Sequence, residues 1–129
     1  MAEPVWIEEQ AIIVLHVRSI ALHGGPPGVG DRGLLSSALD RARSRYSYEG
    51  VEDIGELAAT YAAAVSANRP FADGNKRAAF HCLALFLRLN GLRLTASQAD
   101  AALTILDLAA GRLDIASLAD WVRRNSGPA

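Results

Sequence analysis

Apolar residues recur at helical spacing along most of the chain. Glu8 and Glu9, followed by Ala11, Ile12, Ile13, Leu15, Val17, Ile20 and Leu22, predict a first helix over about 6–22. Gly24-Gly25-Pro26-Pro27-Gly28 must end it, because glycine and proline both punctuate helices. Asp31 is a good N-cap for a second helix through about Ala42, carrying Leu34, Leu35, Ala38 and Leu39. Ser44 to Val51 reads as a loop. A third helix runs from about Asp53, with Ile54, Leu57, Ala58, Tyr61 and Val65 on one buried face. Its end delivers Asn68 and Arg69 to a polar stretch. A fourth helix, over about 74–90, is apolar nearly all round after Arg77, which marks it as the central, buried one. Gly91 is its expected C-cap. Thr95 or Ser97 starts a fifth helix to about Ala109, and Asp114 caps a sixth that carries Ile115, Leu118, Trp121 and Val122. Strand signals are confined to Tyr46–Val51 and Leu92–Leu94. The expected fold is all-α, a single domain over residues 1–129 built as an orthogonal bundle of about six helices.

Composition narrows the function without naming it. The chain has 129 residues, half of them apolar, which suits one domain with a real core. Thirteen basic and 14 acidic residues leave a formal charge of −1. Nucleic-acid binders usually show a basic excess or stripe, so direct nucleic-acid binding is not expected. No apolar run approaches the ~20 residues of a membrane span. Met1-Ala2-Glu3-Pro4 lacks the basic start and apolar core of a signal peptide, and a single cysteine excludes an internal disulfide. A cytoplasmic location is the expectation.

Residues 66–77 hold the chemistry: Ser-Ala-Asn-Arg-Pro-Phe-Ala-Asp-Gly-Asn-Lys-Arg. A polar loop here feeds the N-terminus of the buried fourth helix, whose unpaired N–H groups and positive dipole end favour an anion. Gly74 lets backbone come close to a ligand. Lys76 and Arg77 can neutralise phosphate oxygens, one as a point charge and the other as a planar fork. Asp73 could hold a Mg²⁺ that bridges phosphates. The same residues also fit a solvated turn in which Asp73 merely caps the helix.

The stretch from Arg69 to Arg77 resembles the signature of the Fic/Doc family, which in its Doc branch runs His-Pro-Phe-x-Asp-Gly-Asn-Lys-Arg; eight of the nine positions fit. Gly28-Val29-Gly30-Asp31-Arg32-Gly33-Leu34-Leu35 is similar to the family's Gly-x-Arg-Asp-x-Gly-Leu-Leu segment, and Phe86-Leu87-Arg88-Leu89-Asn90-Gly91 to the end of its motif helix. The resemblance covers most of the chain, from about Trp6 to the C-terminal helix. It implies the toxin of a type II toxin–antitoxin pair. Such a toxin transfers the γ-phosphate of ATP, with Mg²⁺, to a hydroxyl on elongation factor Tu and stops translation. The implied partner is a Phd-type antitoxin whose disordered C-terminal segment folds as a helix on the toxin. Fic relatives transfer the nucleotide monophosphate instead. Lys76 and Phe80 stand where those relatives carry a second glycine and a second arginine, which places this chain with Doc.

Arg69 departs from the pattern. The family has histidine there, to accept the proton of the target hydroxyl. Arginine stays protonated and has no acceptor lone pair, so this chain is expected to be inactive or severely impaired. A catalytically dead antitoxin-binding module and a Fic-like AMP transferase are the alternatives. By the resemblance, Gly74, Asn75, Lys76 and Arg77 hold nucleotide and Asp73 the metal, with Asn75 on phosphate rather than merely bracing the loop. Phe71 is expected to anchor the loop in the core. His81, four residues after Arg77, shares its helix face and is either packing or a poor substitute base. His16 and His23 show no partners, and Cys82 reads as a small buried hydrophobe. Tyr46-Ser47-Tyr48-Glu49-Gly50 falls where family members carry a flap that lines up the target as an added strand. The family's self-inhibitory Ser/Thr-x-x-x-Glu-Gly/Asn pattern fails at Arg45, so inhibition should come from a separate chain.

Overall fold

The computed structural model describes residues 2–129. Six helices occur in order: α1 (Glu9–His23), α2 (Arg32–Glu49), α3 (Ile54–Asn68), α4 (Asn75–Leu89), α5 (Gln98–Ala109) and α6 (Ile115–Arg124). Two short strands, β1 (Leu92–Leu94) and β2 (Ser126–Pro128), pair antiparallel with Leu92 opposite Pro128. The architecture is all-α, with this one ribbon tying the C-terminus to the end of α4.

Local chemistry sets most helix starts. The side chains of Asp31, Asp53, Ser97 and Asp114 each accept a hydrogen bond from the backbone N–H three residues on. The hydrophobic faces then meet at the centre. α3 packs on α4, α6 and α2, while α4 also packs on α1 and α5. Leu57, Tyr61, Val65, Leu83, Phe86, Leu87, Leu35, Leu118 and Val122 belong to one buried cluster. The motif helix thus lies in the core, sharing the centre with α3.

Three boundaries differ from the sequence reading. α1 begins at Glu9, not near residue 6, because the preceding segment is held extended by long-range contacts. Trp6 stacks on Phe86 and meets Tyr46 edge-on, the Ile7 N–H donates to the Tyr61 hydroxyl, and Asn90 bonds both backbone groups of Val5. α4 ends on Asn90, and Gly91 with φ 82° comes one residue later.

The largest correction concerns Ser44–Val51, expected as a loop and as a target-aligning flap. It is the last part of α2, which continues to Glu49 and closes on Gly50 in the left-handed region at φ 70°. Arg45 fixes it there, donating to Thr60 Oγ1 and to the Glu56 carboxylate, both at 2.8 Å, and pairing with Glu49 one turn on. Tyr46 packs on Trp6, and Tyr48 points outward. No strand is offered here for a target to extend.

Candidate functional site: the loop before α4

The loop from Arg69 to Gly74 joins the two central helices. α3 ends where Arg69 turns into the left-handed region, φ 46° and ψ 57°, with its N–H bonded to the Val65 carbonyl at 3.0 Å. Among the described residues it is the only non-glycine with positive φ. Such a conformation crowds Cβ against backbone, and strain of this kind gathers at functional positions.

The remainder of the loop is held from three sides. The Pro70 carbonyl accepts from the N–H groups of Gly30 and Asp31, and the Ala72 N–H donates to the Gly28 carbonyl. The glycine-rich connection between α1 and α2 therefore runs alongside the loop. Phe71 is 4% exposed and stacks on the His16 ring, centroids 3.9 Å apart. That is the anchoring role expected of Phe71. Asn75 holds the loop from the helix side: its Oδ1 accepts from the Phe71 N–H and its Nδ2 donates to the Phe71 carbonyl.

Of the two roles weighed for the Asn75 side chain, phosphate contact and bracing of the loop, these bonds are the bracing one. Asn75 is 9% exposed, and its amide is engaged through both Oδ1 and Nδ2 with the Phe71 backbone. Asp73 does not cap the helix. Gly74 is the N-cap, at φ 74°, and no side chain caps α4. The Asp73 carboxylate instead lies against the 24–28 turn, where a Cβ on Gly25 would collide with it.

His16 is the residue that sequence reasoning missed. Buried on α1, it stacks under Phe71 and its Nε2 lies 2.7 Å from the Asp73 carbonyl. The carbonyl can only accept, so Nε2 carries the proton and donates. The contact spans 57 residues, and no pattern local to α1 announces it.

Arg69, Asp73, Lys76 and Arg77 come together on a cavity of about 670 Å³. Phe80 and His81 continue its α4 wall; Ala101, Ile105 and Leu106 of α5 face them, and His23 stands at the end of α1. Arg69, Asp73, Lys76 and Arg77 are exposed, and none takes part in an ion pair among the described residues. Three cations and one carboxylate leave a net positive rim at an uncapped helix N-terminus, a setting for an anion. The His81 Nδ1 is buried with no hydrogen-bond partner among the described residues. Burial first, then the fields of His16, His23 and Arg77, lower its pKa. Cys82 is fully buried, and burial pushes its thiol up, as suits an inert core residue.

The sequence model of the Fic/DOC family matches residues 6–87, which contain the loop and most of α4. The chain is 37% identical over 123 residues to "Protein kinase doc" of Escherichia phage P1, covering 95% of this chain and 97% of that one. It is 36% identical over 84 residues to "Toxin Doc" of Mycolicibacterium smegmatis, 64% of each chain. The bundle and its loop thus define the chain's class: it belongs to the Fic/DOC family.

Proposed function

We propose that this chain is the toxin of a toxin–antitoxin pair, built to move the γ-phosphate of ATP onto a hydroxyl of elongation factor Tu and disabled at its proton acceptor. The observation that carries the reading is the cavity rim, where three cations and one carboxylate, without ion-pair partners among the described residues, surround an uncapped helix N-terminus. The relatives' names, a protein kinase and a toxin, point the same way.

The residues present fit a nucleotide with Mg²⁺. Asp73 places on the cavity a carboxylate that forms no ion pair among the described residues. Among the described residues no cluster of three metal-ligating side chains forms. One carboxylate suits Mg²⁺, which takes few protein ligands and fills its shell with phosphate oxygens and water. When bound, Mg²⁺ would neutralise phosphate charge. Lys76 and Arg77 bind phosphate oxygens, the first-turn N–H groups of α4 orient them, and His16 and Asn75 keep the loop in register.

Transfer breaks the bond from the γ-phosphorus to its bridging oxygen and forms one to the acceptor oxygen, whose proton must leave. Position 69 lies on the cavity beside these groups, and arginine has no lone pair to take that proton. Losing a positioned base costs roughly 10²–10⁴-fold in rate. A Phd-type antitoxin is the expected inhibitor.

The test is incubation of this chain and its Arg69→His variant with γ-labelled ATP, Mg²⁺ and elongation factor Tu. Label on the factor from the variant alone is the expected result. Label from α-labelled ATP would instead favour nucleotidyl transfer. No transfer by the variant would sink the kinase reading and leave an antitoxin-binding module.

A further inference from the structure

The chain's three histidines all surround this site: His16 under the loop, His23 and His81 on the cavity. His81 differs in that its two ring nitrogens meet different surroundings. Nδ1 is buried with no partner, while the ring lines the cavity. Nε2 is therefore the nitrogen free to meet a ligand.

A neutral imidazole carries one proton, on either nitrogen. A buried N–H without an acceptor forfeits the hydrogen bond that water would give it, and orphaned buried N–H groups are rarer than acceptors with an unused lone pair. The proton belongs on Nε2. Burial and the surrounding positive groups keep the ring in its neutral form at neutral pH. The fields that lower its pKa come from His16 and His23 on α1 and Arg77 on α4, while Arg69 and Lys76 line the same cavity and Asp73 is the one acidic residue of its lining. In this tautomer His81 donates to the cavity and cannot accept a proton there, which removes it as a substitute for the missing base.

We infer that His81 is a binding residue, its Nε2–H donating to an oxygen of a polyphosphate that runs from the first turn of α4 along the cavity toward α5. The inference rests on the nucleotide reading above. His81 stands one helical turn beyond Arg77, roughly 6 Å along the same face. An orthophosphate held at the first turn does not reach it; an extended anion does. A bound polyanion also offsets the positive groups around the ring, so His81 should gain a proton more readily when the site is filled.

Imidazole ¹⁵N spectra of the intact protein test the tautomer directly. A bare Nδ1 and a protonated Nε2 are expected, with the Nε2 signal and the titration midpoint of His81 moving up in pH on adding tripolyphosphate or ATP–Mg²⁺. A proton on Nδ1 in the free protein overturns the inference whatever the nucleotide does. Calorimetry supplies the second arm: His81→Ala should weaken ATP–Mg²⁺ and tripolyphosphate roughly tenfold and leave orthophosphate little changed, while His81→Asn, which keeps a donor, recovers part of the loss. Unchanged affinity in both variants, with the parent binding ATP–Mg²⁺, overturns the role of His81 and leaves the nucleotide reading standing. Failure of the parent to bind either polyphosphate sinks both.

Discussion

At position 69 the backbone and the proposed chemistry make separate demands, and arginine meets neither. The backbone sits at φ 46°, where side chains with a Cβ are disfavoured and histidine is among the better tolerated. The proposed chemistry asks for a lone pair that a guanidinium lacks. These demands can be tested apart. Arg69→Gly removes the Cβ and should raise stability by about 1 kcal/mol, seen as a higher melting temperature. A lower melting temperature would mean that the turn carries no strain for glycine to relieve. The identities of Asp73, Gly74, Lys76 and Arg77 as a cluster were legible in the sequence because they are neighbours in it. The bracing by Asn75 and the support from His16 were not. The first is a choice between two acceptable partners, and the second joins α1 to a loop 57 residues away.

Helix ends show the same division at the scale of elements. Caps at Asp31, Asp53 and Asp114 depend on a side chain and an N–H three residues on, so the sequence shows them. The last turns of α2 depend on other helices. Tyr46, Ser47 and Tyr48 give little local support for helix; Arg45 bonded across to α3 and Tyr46 packed on Trp6 hold them in place. Arg45→Met keeps the aliphatic stem and removes the bonds to Thr60 and Glu56, so it should cost about 1–3 kcal/mol. Urea unfolding reads the cost, and faster amide exchange over residues 46–49 would show where it falls. Unchanged protection there would mean that Tyr46 alone holds the turn.

Over the whole molecule, the six-helix plan came from periodicity and β1 from the strand signal at Leu92–Leu94, whereas its partner β2 was not legible, since Ser126-Gly127-Pro128 has no strand character of its own. The core supplies a pH dependence. Burial, opposed by the bond from the Ile7 N–H, pushes the Tyr61 pKa from 10.0 to about 12. The unfolded chain releases this proton near pH 10 and the folded chain keeps it. The stability from the buried neutral phenol is thus whole below pH 10 and is lost as pH rises toward 12. Urea midpoints across that window should fall, and Tyr61→Phe should flatten the fall. An equal slope in the variant would assign it to other groups.

The bonds that run from Gly28, Gly30 and Asp31 to the loop before α4 bear on time as well as shape. Segments that open easily are those with few buried contacts, and binding loops are commonly drawn from them. This one is laced to the α1–α2 connection, stacked on His16 and fastened to α4 through Asn75. It cannot swing out without tearing contacts on the α1–α2 connection, α1 and α4. Its clock is therefore that of the core: on the proposed function, a ligand would enter a cradle already set, and the exposed rim side chains rather than the backbone would do the moving.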